Sequence, residues 1–211
     1  MKISTQLVKE LREKTGVGIM DCKNAIQDAG GDIDKAVEIL RKKGIAKAQK
    51  REGRIASEGQ IQSYVHTGGR IGVLVEVNCE TDFSAKTDDF TDFTKNVAMH
   101  IAATNPIALS PENLPSEIVE REKEIYRAQA IQSGKGEKVV EKIAEGRLKK
   151  FFSEVCLLNQ AYVKDLNMTV QDLLNELKAK TGENIVISRF VRFQLGEADD
   201  RWQRTTETPY P

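Results

Sequence analysis

Few residues in this chain have the types and spacing that bond chemistry needs. Its 211 residues include two histidines and three cysteines, Cys22, Cys79 and Cys156. A thiol beside an imidazole is the simplest nucleophile and base. Cys79 and His66 form the one pairing to weigh, since both fall near predicted strand ends. Cys79, however, completes an apolar alternation, the position of a buried structural thiol. His100 stands between Met99 and Ile101 in a helical pattern, where packing accounts for it. Neither histidine is paired at metal-ligand spacing, so no metal site is predicted. Gly16-Val17-Gly18 follows no strand and reads as a helix breaker, and no glycine-rich loop ends in Lys-Ser/Thr to cradle phosphates. The carboxylates scatter over helical faces. No cofactor is implied, and the chain is not read as an enzyme.

A different kind of chemistry is available at Asp82-Phe83, directly after the β-like run Val73-Leu74-Val75-Glu76-Val77-Asn78-Cys79. A stiff strand that ends in a carboxylate and a large ring can present a wedge to another protein. Aromatic side chains carry much of the energy of interfaces. The local alternative is that Asp82 caps the next helix and Phe83 faces the core.

The elements around this point read as an α+β fold. Residues 1–44 form three short helices with apolar stripes Leu7, Val8, Leu11; Cys22, Ala25, Ile26, Ala29; and Ala36, Val37, Ile39, Leu40. Thr15-Gly16-Val17-Gly18 and Gly30-Gly31 separate them, and Asp32 can cap the third. The triplet resembles a ubiquitin-associated type of module, too small to be more than marginally stable alone. Residues 45–57 form a basic linker; the stretch 41–54 holds seven basic residues and one acid but no aromatic to stack bases.

Residues 58–196 form the predicted core. Ile61–Val65 and Ile71–Cys79 are strands joined by Thr67-Gly68-Gly69, with Ile71, Val73, Val75 and Val77 on one face. A helix through Phe90, Phe93, Val97 and Ile101 ends near Asn105-Pro106. A helical hairpin spans about residues 116–159 around Ser133-Gly134-Lys135-Gly136, with Gly146 inside its second helix to allow close approach or a bend. A helix through Val170, Leu173, Leu174 and Leu177 stops at Gly182, and a strand follows from Asn184 to Leu195. Residues 197–211 are predicted to be a disordered tail.

Lys+Arg and Asp+Glu both number 32, which argues against a bulk polyelectrolyte partner. No apolar run approaches the roughly 20 residues that cross a bilayer. The N-terminus lacks the features of a secretory or transit peptide. The odd, widely spaced cysteines suit a reducing compartment. These features place the chain in the cytoplasm, and a processed organellar protein reads the same way.

Two blocks carry a family resemblance. Glu76-Val77-Asn78-Cys79-Glu80-Thr81-Asp82-Phe83-Ser84-Ala85-Lys86 resembles one signature of translation elongation factor Ts. Leu11-Arg12-Glu13-Lys14-Thr15-Gly16-Val17-Gly18-Ile19-Met20-Asp21-Cys22-Lys23-Asn24-Ala25 resembles its N-terminal signature, and similar sequence extends from about Ile3 to Gly196. The resemblance implies a guanine-nucleotide exchange factor that binds the GTPase elongation factor Tu and promotes GDP release. It implies that Phe83 is the wedge, that Asp82 disturbs the region holding Mg²⁺, and that Thr81 and Ser84 orient the turn. Ser84 stands where the family usually has valine. Arg12, Ile19 and Met20 would be the N-terminal anchor, with Ile19 where methionine is common. From the residues alone, Ile19 and Met20 could equally close the module's own core. His66, in His66-Thr67-Gly68-Gly69-Arg70-Ile71-Gly72, is either a further contact or a solvated turn residue. Longer members have two related core halves. This chain has one, so pairing as a homodimer could complete the core. The competing reading is an adaptor that binds RNA or nascent chains through the basic linker.

Overall fold

The computed structural model describes residues 4–49, 53–134 and 136–197. The chain is α+β, with an N-terminal helical module followed by an antiparallel sheet and helices. Three helices open it: α1 (Thr5–Thr15), α2 (Ile19–Asp28) and α3 (Ile33–Gln49). The Ser4 hydroxyl caps α1 by accepting from the Gln6 N–H, and the Asp32 carboxylate accepts from the Lys35 N–H at the start of α3. Leu11, Cys22, Ala25, Ile26, Ala36 and Leu40 form the module's core. Helix α3 continues through residues 45–49, the first part of the predicted linker, while 50–52 lie outside the described residues.

The sheet has the order β1-β2-β5, all antiparallel, with β1 (Glu58–Val65), β2 (Ile71–Cys79) and β5 (Val186–Gln194). The β1–β2 turn places Gly68 and Gly69 at φ 91° and 68°, a region where side chains are strained. On β2 the alternation holds along the strand: Val73, Val75, Val77 and Cys79 are buried. They pack, together with Ile187, against α5 (Asp88–Thr104) through Phe90, Phe93, Val97 and Ile101, and against α8 (Val170–Thr181) through Val170, Leu174 and Leu177. The short helix α4 (Asp82–Ala85) joins β2 to α5.

Among the described residues, no helix packs on the opposite face of the sheet. Ile61 and Val65 from β1, Leu74 from β2 and Phe193 from β5 are all exposed there. The register sets Val65 opposite Gly72 and Gly72 opposite Phe193, while Ser63 stands opposite Leu74 and Ile61 beside the Glu76–Arg189 ion pair, so this face mixes exposed apolar side chains with polar ones.

Helices α6 (Ser116–Gln132) and α7 (Glu137–Val155) form the antiparallel hairpin. Ala130, Val140 and Ala144 are buried, and Arg127 pairs with Glu141 at 2.7 Å. A methyl group on Gly146 would meet open space, so this glycine serves no close helix approach. Leu114 and Cys156 anchor the hairpin's base with Phe151, Phe152 and Val155 packed around them.

A small ribbon of β3 (Ala161–Tyr162) and β4 (Asp165–Thr169) was not predicted from the sequence. It is short and mostly exposed, so it has no apolar alternation to read. His100 ties this region to α5. It is fully buried; its Nε2 meets the Gln160 Oε1 at 2.9 Å, and its Nδ1 accepts from the Val163 N–H at 3.3 Å. Burial lowers its pKa, against the opposing hydrogen bond to Gln160, which fits a neutral structural imidazole.

No helix among the described residues is long and apolar enough to cross a membrane. The predicted tail lies outside the described residues except for Glu197.

Candidate functional site

The turn that follows β2 is held from several sides. Thr81, not Asp82, is the N-cap of α4: its hydroxyl oxygen accepts from the Ser84 N–H at 3.3 Å. Asp82 begins the helix, and its carboxylate takes a 2.6 Å ion pair from the Lys86 ammonium one turn on. That hydrogen bond holds the Asp82 carboxyl below its ordinary range, so it is ionised at neutral pH. Four residues of helix turn Ser84 and Ala85 inward and leave Phe83 79% exposed. The core-facing alternative for Phe83 is thereby set aside.

The support beneath Phe83 is polar and specific. The Glu183 carboxylate, in the loop between α8 and β5, accepts from the Glu80 N–H (3.1 Å), the Thr81 N–H (3.2 Å) and the Thr81 hydroxyl (2.6 Å). In return, the Glu80 carboxylate accepts from the Asn184 N–H at 2.6 Å. The Gln60 amide on β1 donates to the Ala85 carbonyl at 2.6 Å, and the Cys79 thiol donates to the Thr81 carbonyl at 3.1 Å. Sequence reading missed Glu183, Asn184 and Gln60. Glu183 and Glu80 are 103 positions apart, and only the pairing of β5 with β2 brings them together.

Ser84 is 6% exposed, and its hydroxyl has no hydrogen-bond partner among the described residues. Its backbone does the work in the turn: its carbonyl accepts from the Thr87 hydroxyl at 2.8 Å. A buried hydroxyl without a partner is costly. This pocket is therefore better suited to an apolar side chain than to serine.

The N-terminal module presents Ile19 (54% exposed) and Met20 (64% exposed) at the start of α2, with Arg12 exposed on α1. Neither apolar residue closes the module's core. The module sits on α8. Arg41 pairs with Asp172 at 3.1 Å, and a methyl on Gly44 would fall 2.6 Å from the Ala179 Cβ, so only glycine allows α3 this close. The Lys180 chain lies against Gly16, and its ammonium pairs with Asp89 at 3.2 Å, just beyond α4. The start of α2 and the Phe83 turn are thus both tied to the C-terminal end of α8.

His66 lies at the other end of the sheet. It is exposed and its Nδ1 meets the Tyr64 hydroxyl at 3.0 Å. Cys79 pairs with Glu58, whereas His66 follows Val65, so the eight residue steps from Glu58 to His66 separate them by ~26 Å. Burial also pushes the Cys79 thiol up to about 11. A cysteine–histidine pair is excluded on both counts. A surface cleft lined by Ile107, Phe190 and Arg192 runs beside β5, and Phe83 is not part of its lining. Among the described residues no group of three or more His, Cys, Asp or Glu is placed to hold a metal ion.

Comparisons with known proteins agree with the two sequence blocks. Residues 7–197 match the family model described as Elongation factor TS. The chain is 59% identical over 196 residues to an elongation factor Ts of Syntrophobacter fumaroxidans, covering 93% of this chain and 98% of the relative. It is 60% identical over 195 residues to one from Desulfosudis oleivorans (92% and 98%). It is 59% identical over 199 residues to one from Caldanaerobacter subterraneus subsp. tengcongensis (94% and 100%).

Replacing Ser84 with valine removes the unpartnered hydroxyl and fills the same pocket. Ser84→Val is expected to raise stability by about 1 kcal/mol in urea denaturation. A loss of stability would show that the pocket cannot take the added carbon.

Proposed function

The chain belongs to the elongation factor Ts family of translation factors, and on that premise we propose that it is a guanine-nucleotide exchange factor acting on the GTPase elongation factor Tu in the cytoplasm. The observation that carries the reading is Phe83: a large ring 79% exposed on a turn braced by Glu183, Gln60 and Cys79. Exposed aromatics on rigid mounts are energetic centres of interfaces.

Exchange needs no bond chemistry. It needs a protein that binds the nucleotide-free state of its partner more tightly than the loaded state. The reciprocity is strict: a factor that weakens nucleotide binding by some ratio is itself weakened by bound nucleotide in the same ratio. Binding energy collected at one surface must therefore be spent on distortion at another. In this reading Arg12, Ile19 and Met20 collect it. Phe83 inserts between elements of the GTPase, and the ionised Asp82 disturbs the region that holds Mg²⁺. Thr81 sets the turn as its cap, and Ser84 seats it from beneath. His66, at the far end of the sheet, is a candidate for a separate contact.

The competing RNA adaptor is less well supported. Three of the basic residues it would use are already paired: Arg41 with Asp172, Lys43 with Asp28 and Arg54 with Glu80. No aromatic residue lies among them.

A homodimer is the second part of the proposal. The bare sheet face exposes Ile61, Val65, Leu74 and Phe193 together, beside the Glu76–Arg189 ion pair, and large apolar side chains exposed on one face mark an association site. A second copy covering it across a two-fold axis would complete the core with identical contacts on both sides.

Two experiments test these points. Elongation factor Tu loaded with fluorescent GDP should release it many times over per added molecule of this protein. Phe83→Ala should lower the saturating release rate at least about tenfold while shifting the melting temperature by no more than about 2 °C. Unaltered release would remove Phe83 from the mechanism. In sedimentation at micromolar concentration the protein is expected to run as a dimer, and Leu74→Asp with Phe193→Asp as a monomer. A monomeric wild-type protein would refute the pairing.

A further inference from the structure

The β2–β5 ladder ends at Asn78 opposite Val186. Beyond it, the backbone N–H groups of Glu80, Thr81 and Asn184 have no strand partner, and each is satisfied by a carboxylate from the opposite chain segment. Glu183 receives Glu80 and Thr81, and Glu80 receives Asn184. The clasp is closed further by the Asn184 amide, which donates to the Arg54 carbonyl at 2.9 Å, and by Arg54, which reaches the Glu80 carboxylate at 3.3 Å.

The geometry points to Glu183 as a positioning residue for exchange: its carboxylate locks the Glu80-Thr81 backbone and thereby sets the pose of Phe83. This inference rests on the exchange reading above and adds the residue that gives the ring its rigidity. Two features separate Glu183 from an ordinary surface acceptor. It takes three hydrogen bonds on one carboxylate, two from successive backbone groups, which fixes the direction of the chain as well as its position. One of those bonds comes from the Thr81 hydroxyl, the same oxygen that caps α4 by accepting from the Ser84 N–H. Glu183 therefore fixes the cap, and the cap fixes the helix turn that carries Phe83.

The consequence for function is a division of labour. The Glu183 carboxylate hydrogen-bonds Glu80 and Thr81 and not the anchors Arg12, Ile19 and Met20, so its loss leaves docking in place. What is lost is the fixed angle of the ring. A ring that swings freely does less work on its partner at the same affinity, because positional errors near an ångström already cost large factors in rate.

The test is a kinetic cycle with Glu183→Gln, Glu183→Ala and Phe83→Ala, alone and combined, using release of fluorescent GDP from elongation factor Tu. Glu183→Ala is expected to lower the saturating rate about tenfold while changing the concentration for half-maximal rate less than about threefold. Glu183→Gln, which keeps the shape and one acceptor oxygen, should fall between it and the wild type. Adding Glu183→Ala to Phe83→Ala should cost almost nothing more, because both remove the same element. Fully additive effects, or a loss confined to half-saturation, would overturn the inference and leave Glu183 as a stabilising residue only. A second readout does not depend on activity. With 4-fluorophenylalanine at position 83, Glu183→Gln should shift and sharpen the fluorine line as the ring gains freedom, and an unchanged line would overturn the brace. A wild-type protein that fails to release GDP would refute the exchange reading, and the fluorine spectrum would then decide the brace by itself.

Discussion

Beyond the last pair of the β2–β5 ladder, the chain must satisfy backbone donors with side chains, and the rest of the site follows from that requirement. A strand whose inward face is Val73, Val75, Val77 and Cys79 is held firmly by α5 and α8. It cannot simply fray at its end, because Glu183 and Glu80 exchange carboxylate bonds across the gap. The stiffness of the core is thereby carried several residues past the sheet. Thr81 converts it into a helix cap, and the first turn of α4 directs Phe83 outward while Ser84 and Ala85 close against the protein.

Helix α8 gives the arrangement its second dimension. Its N-terminal end carries a capping box in which Asp172 accepts from the Thr169 backbone and hydroxyl. Burial works to raise the Asp172 pKa, but the Thr169 hydrogen bonds and Arg41 outweigh it and keep the carboxylate charged. The same Asp172 holds Arg41 of the module, Ala179 receives Gly44, Lys180 lies on Gly16, and Glu183 follows just after the helix stops at Gly182. One helix thus registers both the N-terminal module and the Phe83 turn. Individually the exposed ion pairs contribute little. The close backbone approach at Gly44 cannot be made by another residue without displacing α8, and it is the more exacting part of the seat.

Much of this was legible in the sequence because the signals were local. The alternation of β2, the Gly68-Gly69 turn, the helical stripes and the hairpin each depend on neighbours within a few residues, and each was found at or near its predicted place. What escaped reading was of two kinds. The β3–β4 ribbon is too short and exposed to impose a pattern. Glu183, Gln60 and Gly44 act only through residues far away in the chain, so a single sequence marks them as an unremarkable acid, amide and glycine. Asp82 is suited by type to the helix cap, but Thr81 takes it because its hydroxyl accepts from Ser84 while donating to Glu183. Ser84 acts in the turn through its backbone, since its hydroxyl is buried with no hydrogen-bond partner among the described residues.

In the proposed exchange mechanism the Phe83 ring enters the partner beside its nucleotide site. Photochemical cross-linking tests it most directly. The protein would carry a benzophenone-substituted phenylalanine at position 83 and be irradiated with nucleotide-free elongation factor Tu. The expected result is a covalent adduct whose GTPase peptides border the nucleotide and Mg²⁺ site, suppressed when excess GDP and Mg²⁺ are present. Adducts confined to this protein's own chain, or mapping to a GTPase surface remote from the nucleotide, would contradict it.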